Sequence, residues 1–237
     1  MSERFIGSLD QGTSSTRFMI FDHAGKIVGQ HQLEHRQIMP QAGWVEHDAA
    51  EIWARTQEVI TGALKQAGII GSQLAAIGIT NQRETTVVWD SQTGKPLSNA
   101  IVWQDRRTAD LTSELERINE GDWIRKRTGL NLAPYLTSSK FLWWMRNLPQ
   151  MWQGVEDGSY ALGTIDSYLV ARLSGGASHI TDCSNASRTQ LMNLETGQWD
   201  DELLAAFGIP RSALPKITPS WGDLAKTDPE HFLGLEI

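Results

Sequence analysis

The first stretch with the residue types for chemistry covers residues 5–22, FIGSLDQGTSSTRFMIFD. Two apolar runs of strand length end in Asp10 and Asp22 and flank a short polar loop, which predicts a β-hairpin. Gly12 allows a backbone conformation closed to other residues. Four small hydroxyl side chains follow it: Thr13, Ser14, Ser15 and Thr16.

Such a loop has the composition of an anion site. Successive backbone N–H groups in a turn can point into one concavity and hold an anion, and Arg17 adds a fixed positive charge. Asp10, at the strand end, is placed where a carboxylate can hold a Mg²⁺-bound water rather than the phosphate itself. The alternative is a plain polar turn in which Ser and Thr bond their own backbone.

A second polar cluster, Asn-Gln-Arg-Glu at residues 81–84, interrupts two apolar runs. Adjacent side chains on a regular strand face opposite ways, so Arg83 and Glu84 can share a ligand only if the backbone turns there. Otherwise they form a solvated charge pair at a strand end. Trp103 lies at a predicted strand-to-helix junction, where it is either a core residue or the wall of a pocket.

Composition narrows the classes of protein. The chain has 237 residues, enough for one large domain or two small ones, with 40% hydrophobic and 21% charged residues. A net charge of −7 disfavours nucleic acid or an anionic membrane as partner. The single cysteine, Cys183, fits a reducing cytosol, and no apolar segment has the length of a membrane span. We therefore expect a cytoplasmic globular protein without membrane insertion.

The apolar periodicity predicts mixed strands and helices. A third strand is expected over residues 26–37, and a helix begins at an Asp48 N-cap, with Glu51 completing a capping box, and ends at Gly68. Later strands are expected over residues 75–80, 85–89 and 100–103. Further helices are expected over residues 104–120, 123–128, 137–147, 163–173 and 200–207.

The pattern Asp-x-Gly-Thr-x-x-x-Arg at residues 10–17 resembles the first phosphate loop of the actin-like, ribonuclease-H-like ATPases. Longer segments are similar to the N-terminal domain of the FGGY carbohydrate kinases, and two of them, Asn-Gln-Arg-Glu and Ser-Asn-Ala-Ser-Arg-Thr, point to the glycerol-specific branch. These segments cover residues 81–85 (NQRET), 100–107 (AIVWQDRR), 135–143 (YLTSSKFLW), 163–169 (GTIDSYL) and 181–189 (TDCSNASRT).

The resemblance implies a fold and a set of roles. The fold would be an α/β, ribonuclease-H-like (actin-like ATPase) domain over residues 1–237, whose mixed sheet opens with an antiparallel three-strand meander flanked by helices. Its ligands would be ATP, Mg²⁺ and glycerol, with no metal bound directly by the protein. By resemblance, the nucleotide phosphates would contact Thr13, Ser14, Ser15 and Arg17, with Asp10 at the Mg²⁺ region. Glycerol would contact Arg83, Glu84, Trp103 and Tyr135.

The resemblance also implies what this chain lacks. FGGY kinases are about twice as long, and their general-base aspartate and second domain would lie beyond residue 237. These 237 residues alone are therefore expected to be inactive. They are also expected to self-associate through an exposed apolar inter-domain face. The parent enzyme is expected to be a homo-oligomer. Glu236 stands where some bacterial relatives carry an arginine for fructose 1,6-bisphosphate, so no inhibition by that bisphosphate is expected in the parent enzyme.

Two alternatives stay open at this level. The chain is also compatible with the same half of an FGGY kinase acting on a pentulose or related sugar. It is compatible, too, with a non-catalytic actin-like binding module. A substrate screen separates the first alternative from a glycerol enzyme, and glycerol and ATP titrations address the second.

Overall fold

The structure is a computed structural model of the chain and describes residues 4–118 and 122–232. The strands are β1 (Phe5–Gln11), β2 (Ser15–Phe21), β3 (Ile27–Glu34), β4 (Glu46–His47), β5 (Leu74–Asn81), β6 (Thr86–Asp90), β7 (Ala100–Ile101), β8 (Tyr160–Thr164), β9 (Ile180–Asp182), β10 (Met192–Asn193), β11 (Gln198–Trp199) and β12 (Lys216–Thr218). The helices are α1 (Ala49–Ala67), α2 (Ala109–Ile118), α3 (Trp123–Thr128), α4 (Thr137–Asn147), α5 (Pro149–Glu156), α6 (Ile165–Leu173), α7 (Cys183–Ala186), α8 (Asp201–Phe207) and α9 (Pro229–Phe232).

The first sheet has the strand order β3-β2-β1-β5. Its first three strands are antiparallel neighbours, and β5 returns parallel to β1. The register places Asp10 opposite Arg17 across the hairpin. The predicted mixed sheet that opens with an antiparallel three-strand meander is confirmed. As a result, the turn after β1 and the end of β5 lie at the same edge of the sheet.

A second sheet, in the order β4-β7-β6-β8, is antiparallel. Its strand β6 is buried on both faces, and alternate side chains of a strand point to opposite sides. Val87 and Trp89 therefore join the core beneath the first sheet, whereas Val88 joins a separate core around α4 and α8. The strand β6 thus connects the two cores of the molecule.

Helix α1 packs against β2 and β3. Its predicted ends are confirmed, because the Asp48 carboxylate accepts hydrogen bonds from the Ala50 and Glu51 amides and Gly68 ends the helix at φ 68°. The predicted capping box is only half present. The Glu51 carboxylate accepts from the Arg36 amide at 3.3 Å, so it ties α1 to the segment after β3.

The helix predicted from Gln104 begins later, at Ala109. Asp105 causes the delay, because its carboxylate accepts hydrogen bonds from the amides of Val45 and Arg107 and thereby holds a turn. Arg107 also bonds Asp105 and lies 3.7 Å above the ring of Trp44. This buried turn fixes the backbone immediately after Trp103.

Two other predicted elements have different bounds in the structure, and one helix was not predicted. The third strand ends at Glu34, and the helix predicted from residue 163 begins at Ile165, after a strand, β8, that the periodicity did not separate. Helix α5 was missed, although Pro149 at its first turn is a start signal. The predicted bisphosphate position, Glu236, lies outside the described residues. Within residues 4–118 and 122–232, no helix has the length and apolarity to cross a membrane.

Candidate functional site

The loop between β1 and β2 is closed by a hydrogen bond from the Gly12 amide to the Ser15 carbonyl at 2.9 Å. Gly12 does not use the left-handed conformation that glycine allows, since it is not among the glycines with a left-handed φ. A β-carbon there would lie 3.3 Å from the Ser15 carbonyl oxygen, so a larger residue would require the loop to shift by a few tenths of an ångström. Among the described residues, the Thr13 and Ser14 amides have no hydrogen-bond acceptor, which leaves two adjacent donors for an anion.

The hydroxyls of the loop have different surroundings. Thr13 and Ser15 are half-buried and Ser14 is exposed, so all three reach solvent or a ligand. The Ser15 hydroxyl accepts a hydrogen bond from Gln32 at 2.9 Å. Thr16 is fully buried, which removes it from the set of four hydroxyls. The loop therefore offers three hydroxyls rather than four.

Asp10 and Arg17 form an ion pair across the hairpin, with Arg17 Nη2 2.8 Å from Asp10 Oδ2. Within the described part of the chain, the second Asp10 oxygen has no hydrogen-bond partner. The pair therefore leaves one carboxylate oxygen for a metal-bound water, the ligand type that Mg²⁺ usually retains. No cluster of three or more acidic, His or Cys side chains suited to a metal occurs in residues 4–118 and 122–232.

The four residues that the resemblance assigns to glycerol line one hollow of about 770 Å³. Arg83 and Glu84 come from the connection between β5 and β6, Trp103 follows β7, and Tyr135 precedes α4. Trp103 and Tyr135 are 39% and 38% exposed, so each presents part of a ring to this hollow. The tertiary structure thus brings together residues that are up to about fifty positions apart.

The backbone turns at Glu84, and such a turn is needed for Arg83 and Glu84 to contact the same ligand. Glu84 has φ 63°, a left-handed conformation that costs free energy in any residue with a β-carbon. Its carbonyl accepts hydrogen bonds from Thr137 Oγ1 and Lys140 Nζ, both at 3.3 Å. Arg83 is exposed at the rim, and within the described residues its guanidinium has no partner. The turn therefore directs a buried acid and a free cation to the same space.

Arg188 was missed as a site residue. Its Nε donates to Glu84 Oε1 at 2.7 Å, and its Nη2 donates to the Tyr135 hydroxyl at 3.3 Å. The hydrogen bond with Glu84 raises the pKa of Arg188. The signal was present, because Arg188 belongs to the Ser-Asn-Ala-Ser-Arg-Thr segment. Its partners lie 104 and 53 positions away, which local patterns do not report.

Lys140 of α4 is completely buried beneath the hollow. Its Nζ donates to the carbonyls of Tyr135 and Glu84, so one ammonium group anchors two residues of the lining. Burial lowers the pKa of Lys140 to about 7. This lysine supports the hollow from below and is not itself exposed to a ligand.

The hollow and the hairpin loop are in direct contact. Trp103 Nε1 donates to Thr13 Oγ1 at 3.0 Å, across 90 positions of sequence. An indole N–H is only a donor, so the Thr13 hydroxyl accepts this bond and keeps its own hydrogen for another group. The two predicted subsites therefore form one continuous site, with Trp103 between them.

This combination of sheet order, hairpin loop and adjoining hollow defines an actin-like ATPase domain. Residues 5–236 match the FGGY family of carbohydrate kinases, N-terminal domain. The chain belongs to that family.

Three similar proteins from this family are all named glycerol kinases. Glycerol kinase 1 of Streptomyces coelicolor is 56% identical over 219 residues, covering 91% of this chain and 43% of that protein. The glycerol kinase of Haloarcula marismortui is 47% identical over 249 residues, covering 100% of this chain and 48% of that protein. The crystal structure of Plasmodium falciparum glycerol kinase with ADP superposes with a TM-score of 0.94 at 36% identity, covering 99% and 47% of the two chains. The chain spans less than half the length of these relatives.

Proposed function

We propose that this chain is the N-terminal, substrate-side half of a glycerol kinase, which transfers the terminal phosphoryl group of ATP to glycerol and forms sn-glycerol 3-phosphate. The observation that carries the proposal is the contact between Trp103 in the hollow and Thr13 in the hairpin loop. This loop, residues 12–15, is called the anion loop below. With glycerol in the hollow and phosphate at the loop, this contact would hold the acceptor beside the phosphate, as phosphoryl transfer requires. The names of the relatives support glycerol as the acceptor.

The hollow has the chemistry to hold a small polyol. The Glu84 carboxylate accepts hydrogen bonds from hydroxyl groups, and the Arg83 guanidinium donates two in a fixed geometry. The rings of Trp103 and Tyr135 cover the C–H side of the ligand. Arg188 keeps the Glu84 carboxylate oriented toward the hollow. Selectivity follows because a ligand that lacks a hydroxyl leaves one of these polar groups unpaired.

The hairpin loop would hold the phosphate side. ATP supplies the phosphoryl group, and Mg²⁺ neutralises part of the charge on its phosphates. The open amides and hydroxyls of Thr13 and Ser14, with the hydroxyl of Ser15 and the Arg17 guanidinium, would bind phosphate oxygens. Asp10 would hold a Mg²⁺-bound water through the oxygen that Arg17 leaves open. ADP bound to the Plasmodium relative supports nucleotide use.

We also propose the context in which this half acts. Cytosolic glycerol is the substrate, and the whole enzyme is a homo-oligomer. The 237 residues alone self-associate through the face that would meet a second domain. Size-exclusion chromatography with light scattering measures that association directly, and a monomer at all concentrations would contradict it.

Calorimetric titration of the chain with glycerol tests the proposed function. We expect weak but saturable glycerol binding, with little nucleotide binding, and no response to xylulose or gluconate. Glu84→Gln should weaken glycerol binding by about tenfold or more, because a hydrogen bond to a charged group is lost. The exposed Glu195→Gln is the matched control and should leave glycerol binding unchanged. Preferential binding of a sugar over glycerol would reject the assignment.

A further inference from the structure

A second set of polar side chains lies behind the hairpin loop. Gln37 Nε2 donates to the Thr13 carbonyl at 3.0 Å, and Gln37 Oε1 lies 2.9 Å from His47 Nε2. His47 is fully buried at the end of β4. One side of the loop is therefore connected, through two side chains, to the second sheet.

The other side of the loop is connected through Gln82. Its Nε2 lies 3.2 Å from His47 Nδ1, and its Oε1 accepts from the Thr85 hydroxyl at 3.0 Å. The same Thr85 oxygen accepts from the Trp103 amide at 3.2 Å. Since the Trp103 indole donates to the Thr13 hydroxyl, the hydrogen bonds form a closed ring that begins and ends at Thr13.

We propose that Gln82 is a positioning residue that, with His47 and Gln37, locks the anion loop to Trp103 and so sets the distance between the phosphate and glycerol subsites. This role deepens the proposed function and rests on it. No atom of Gln82 needs to touch a ligand. Its effect passes through Thr13 on one side and Trp103 on the other.

The directions of the hydrogen bonds are mutually consistent around the ring. The Gly12 carbonyl is only an acceptor and lies 3.3 Å from Gln82 Nε2, so this end of Gln82 is the amide nitrogen. Gln82 Nε2 also lies 3.1 Å from Gln11 Oε1, so its two hydrogens face three acceptors. In the ring this nitrogen donates to His47 Nδ1, which makes the His47 Nε2–H the donor to Gln37 Oε1. Gln37 in turn donates to the carbonyl of Thr13. One neutral tautomer of His47 pairs both of its ring nitrogens.

The ring is rigid because three of its side chains are shielded from solvent. Gln82 is 7% exposed, and His47 and Thr85 are fully buried. A buried amide or hydroxyl that loses its partner has no water to replace it, so rotation of Gln82, His47 or Thr85 leaves another of these three unpaired. Burial also lowers the pKa of His47 to about 3, which keeps the imidazole neutral in the ring at neutral pH. The Thr13 hydroxyl is thereby held with its hydrogen free for a phosphate oxygen.

Nitrogen-15 NMR of the tryptophan indoles tests this role in the full 237-residue chain. The Trp103 signal is assigned by its loss in Trp103→Phe. In Gln82→Met we expect the Trp103 Nε1–H to shift upfield and exchange with solvent about two- to tenfold faster, which is the range for one net hydrogen bond. Glycerol binding should weaken by a similar factor. Thr85→Val, which has nearly the same shape, should have the same effects if Gln82→Met does not fold.

Gln190→Met is the matched control. Gln190 is 1% exposed and bonds Ser138 and the Asn131 carbonyl, so its loss has a comparable cost to stability outside the ring. It should leave the Trp103 signal unchanged. An unchanged Trp103 signal in Gln82→Met, or an equal shift in Gln190→Met, would overturn the proposal. If the unsubstituted chain binds no glycerol but the Trp103 signal still shifts in Gln82→Met, the proposed function is wrong. The result would still show that Gln82 positions Trp103.

Discussion

At the scale of the residue, the candidate site depends on Glu84 and on Arg188, which forms an ion pair with it. A left-handed backbone at a non-glycine residue costs about 1–3 kcal/mol and persists only where surrounding contacts hold it. Here Lys140 and Thr137 hold the Glu84 carbonyl, and Arg188 holds its carboxylate. The strain places an acid among the walls of the hollow, and this is consistent with a ligand-binding role for Glu84.

Arg188→Lys tests the importance of the guanidinium. A lysine keeps the charge, but its single ammonium group does not reproduce two bonds in one plane to Glu84 and Tyr135. We expect glycerol affinity to fall by about tenfold, measured by calorimetry. Arg146→Lys serves as control, because Arg146 also pairs with an acid, Glu114, but on the exposed surface. Equal glycerol binding by Arg188→Lys and the parent chain would contradict the prediction.

Because His47 is buried, we predict that the free energy of unfolding depends on pH. Burial lowers its pKa to about 3, whereas the unfolded chain has the ordinary value of 6.5. Between these values the unfolded state binds a proton that the folded state does not. Stability is therefore full above pH 6.5 and is lost as the pH falls toward 3, by up to about 1.4 kcal/mol per pH unit for this group.

His47→Gln should reduce that slope, measured by urea unfolding between pH 6.5 and 4. His179 is also buried, with a pKa of about 4, so part of the slope should remain in the variant. His23 is exposed, and His23→Gln should leave the slope as it is. A variant at position 47 with an unchanged slope would show that His47 is not neutral in the folded state.

At the scale of the element, the approach of α1 to β3 determines the shape of the first layer. A β-carbon on Gly29 would lie 2.5 Å from the Ala63 carbonyl oxygen and 2.8 Å from the Ala67 side chain. Backbone atoms of a helix do not move easily, so the two elements would have to separate. Gly29 therefore lets the helix cover the sheet that carries the anion loop.

Gly29→Ala is expected to destabilise the chain by about 1–3 kcal/mol, the usual cost of overpacking. Gly78 in β5 is the control, since a β-carbon there meets no atom within 4 Å and its φ is ordinary. Gly78→Ala should be neutral or slightly stabilising. Thermal unfolding of both variants measures the difference, and equal unfolding temperatures would contradict this account of the packing.

At the scale of the whole molecule, two cores share strand β6, and the site lies where the two sheets meet. In-line phosphoryl transfer needs groups that position both the attacking and the leaving oxygen. In the proposed function, the described residues would bind the acceptor and the phosphates from one side of that path.

We therefore expect the 237 residues alone to form no glycerol 3-phosphate above background with Mg²⁺ and ATP. A coupled assay for ADP, with full-length Streptomyces coelicolor glycerol kinase 1 as positive control, measures this. Turnover near the typical kinase range of about 1–100 per second would contradict the expectation.

The sequence predicted the local features well. The hairpin at residues 5–21, the N-cap Asp48 and the end of α1 at Gly68 are all encoded within a few positions of the residues concerned, whereas the sequence left a turn at Glu84 as one of two alternatives. The errors arose where a side chain contacts a distant backbone. Asp105, for example, delays the start of a helix through its bond to Val45, sixty positions away.

By itself the sequence indicated the family, the opening hairpin and the long helix α1, because periodicity, capping and motif spacing are local properties. Only the tertiary structure decided which side chains meet. Arg188 reaches Glu84 across 104 positions and Trp103 reaches Thr13 across 90. Such pairings depend on sheet register and on the packing of the two cores. The ring through Gln82 closes only after both sheets are in place.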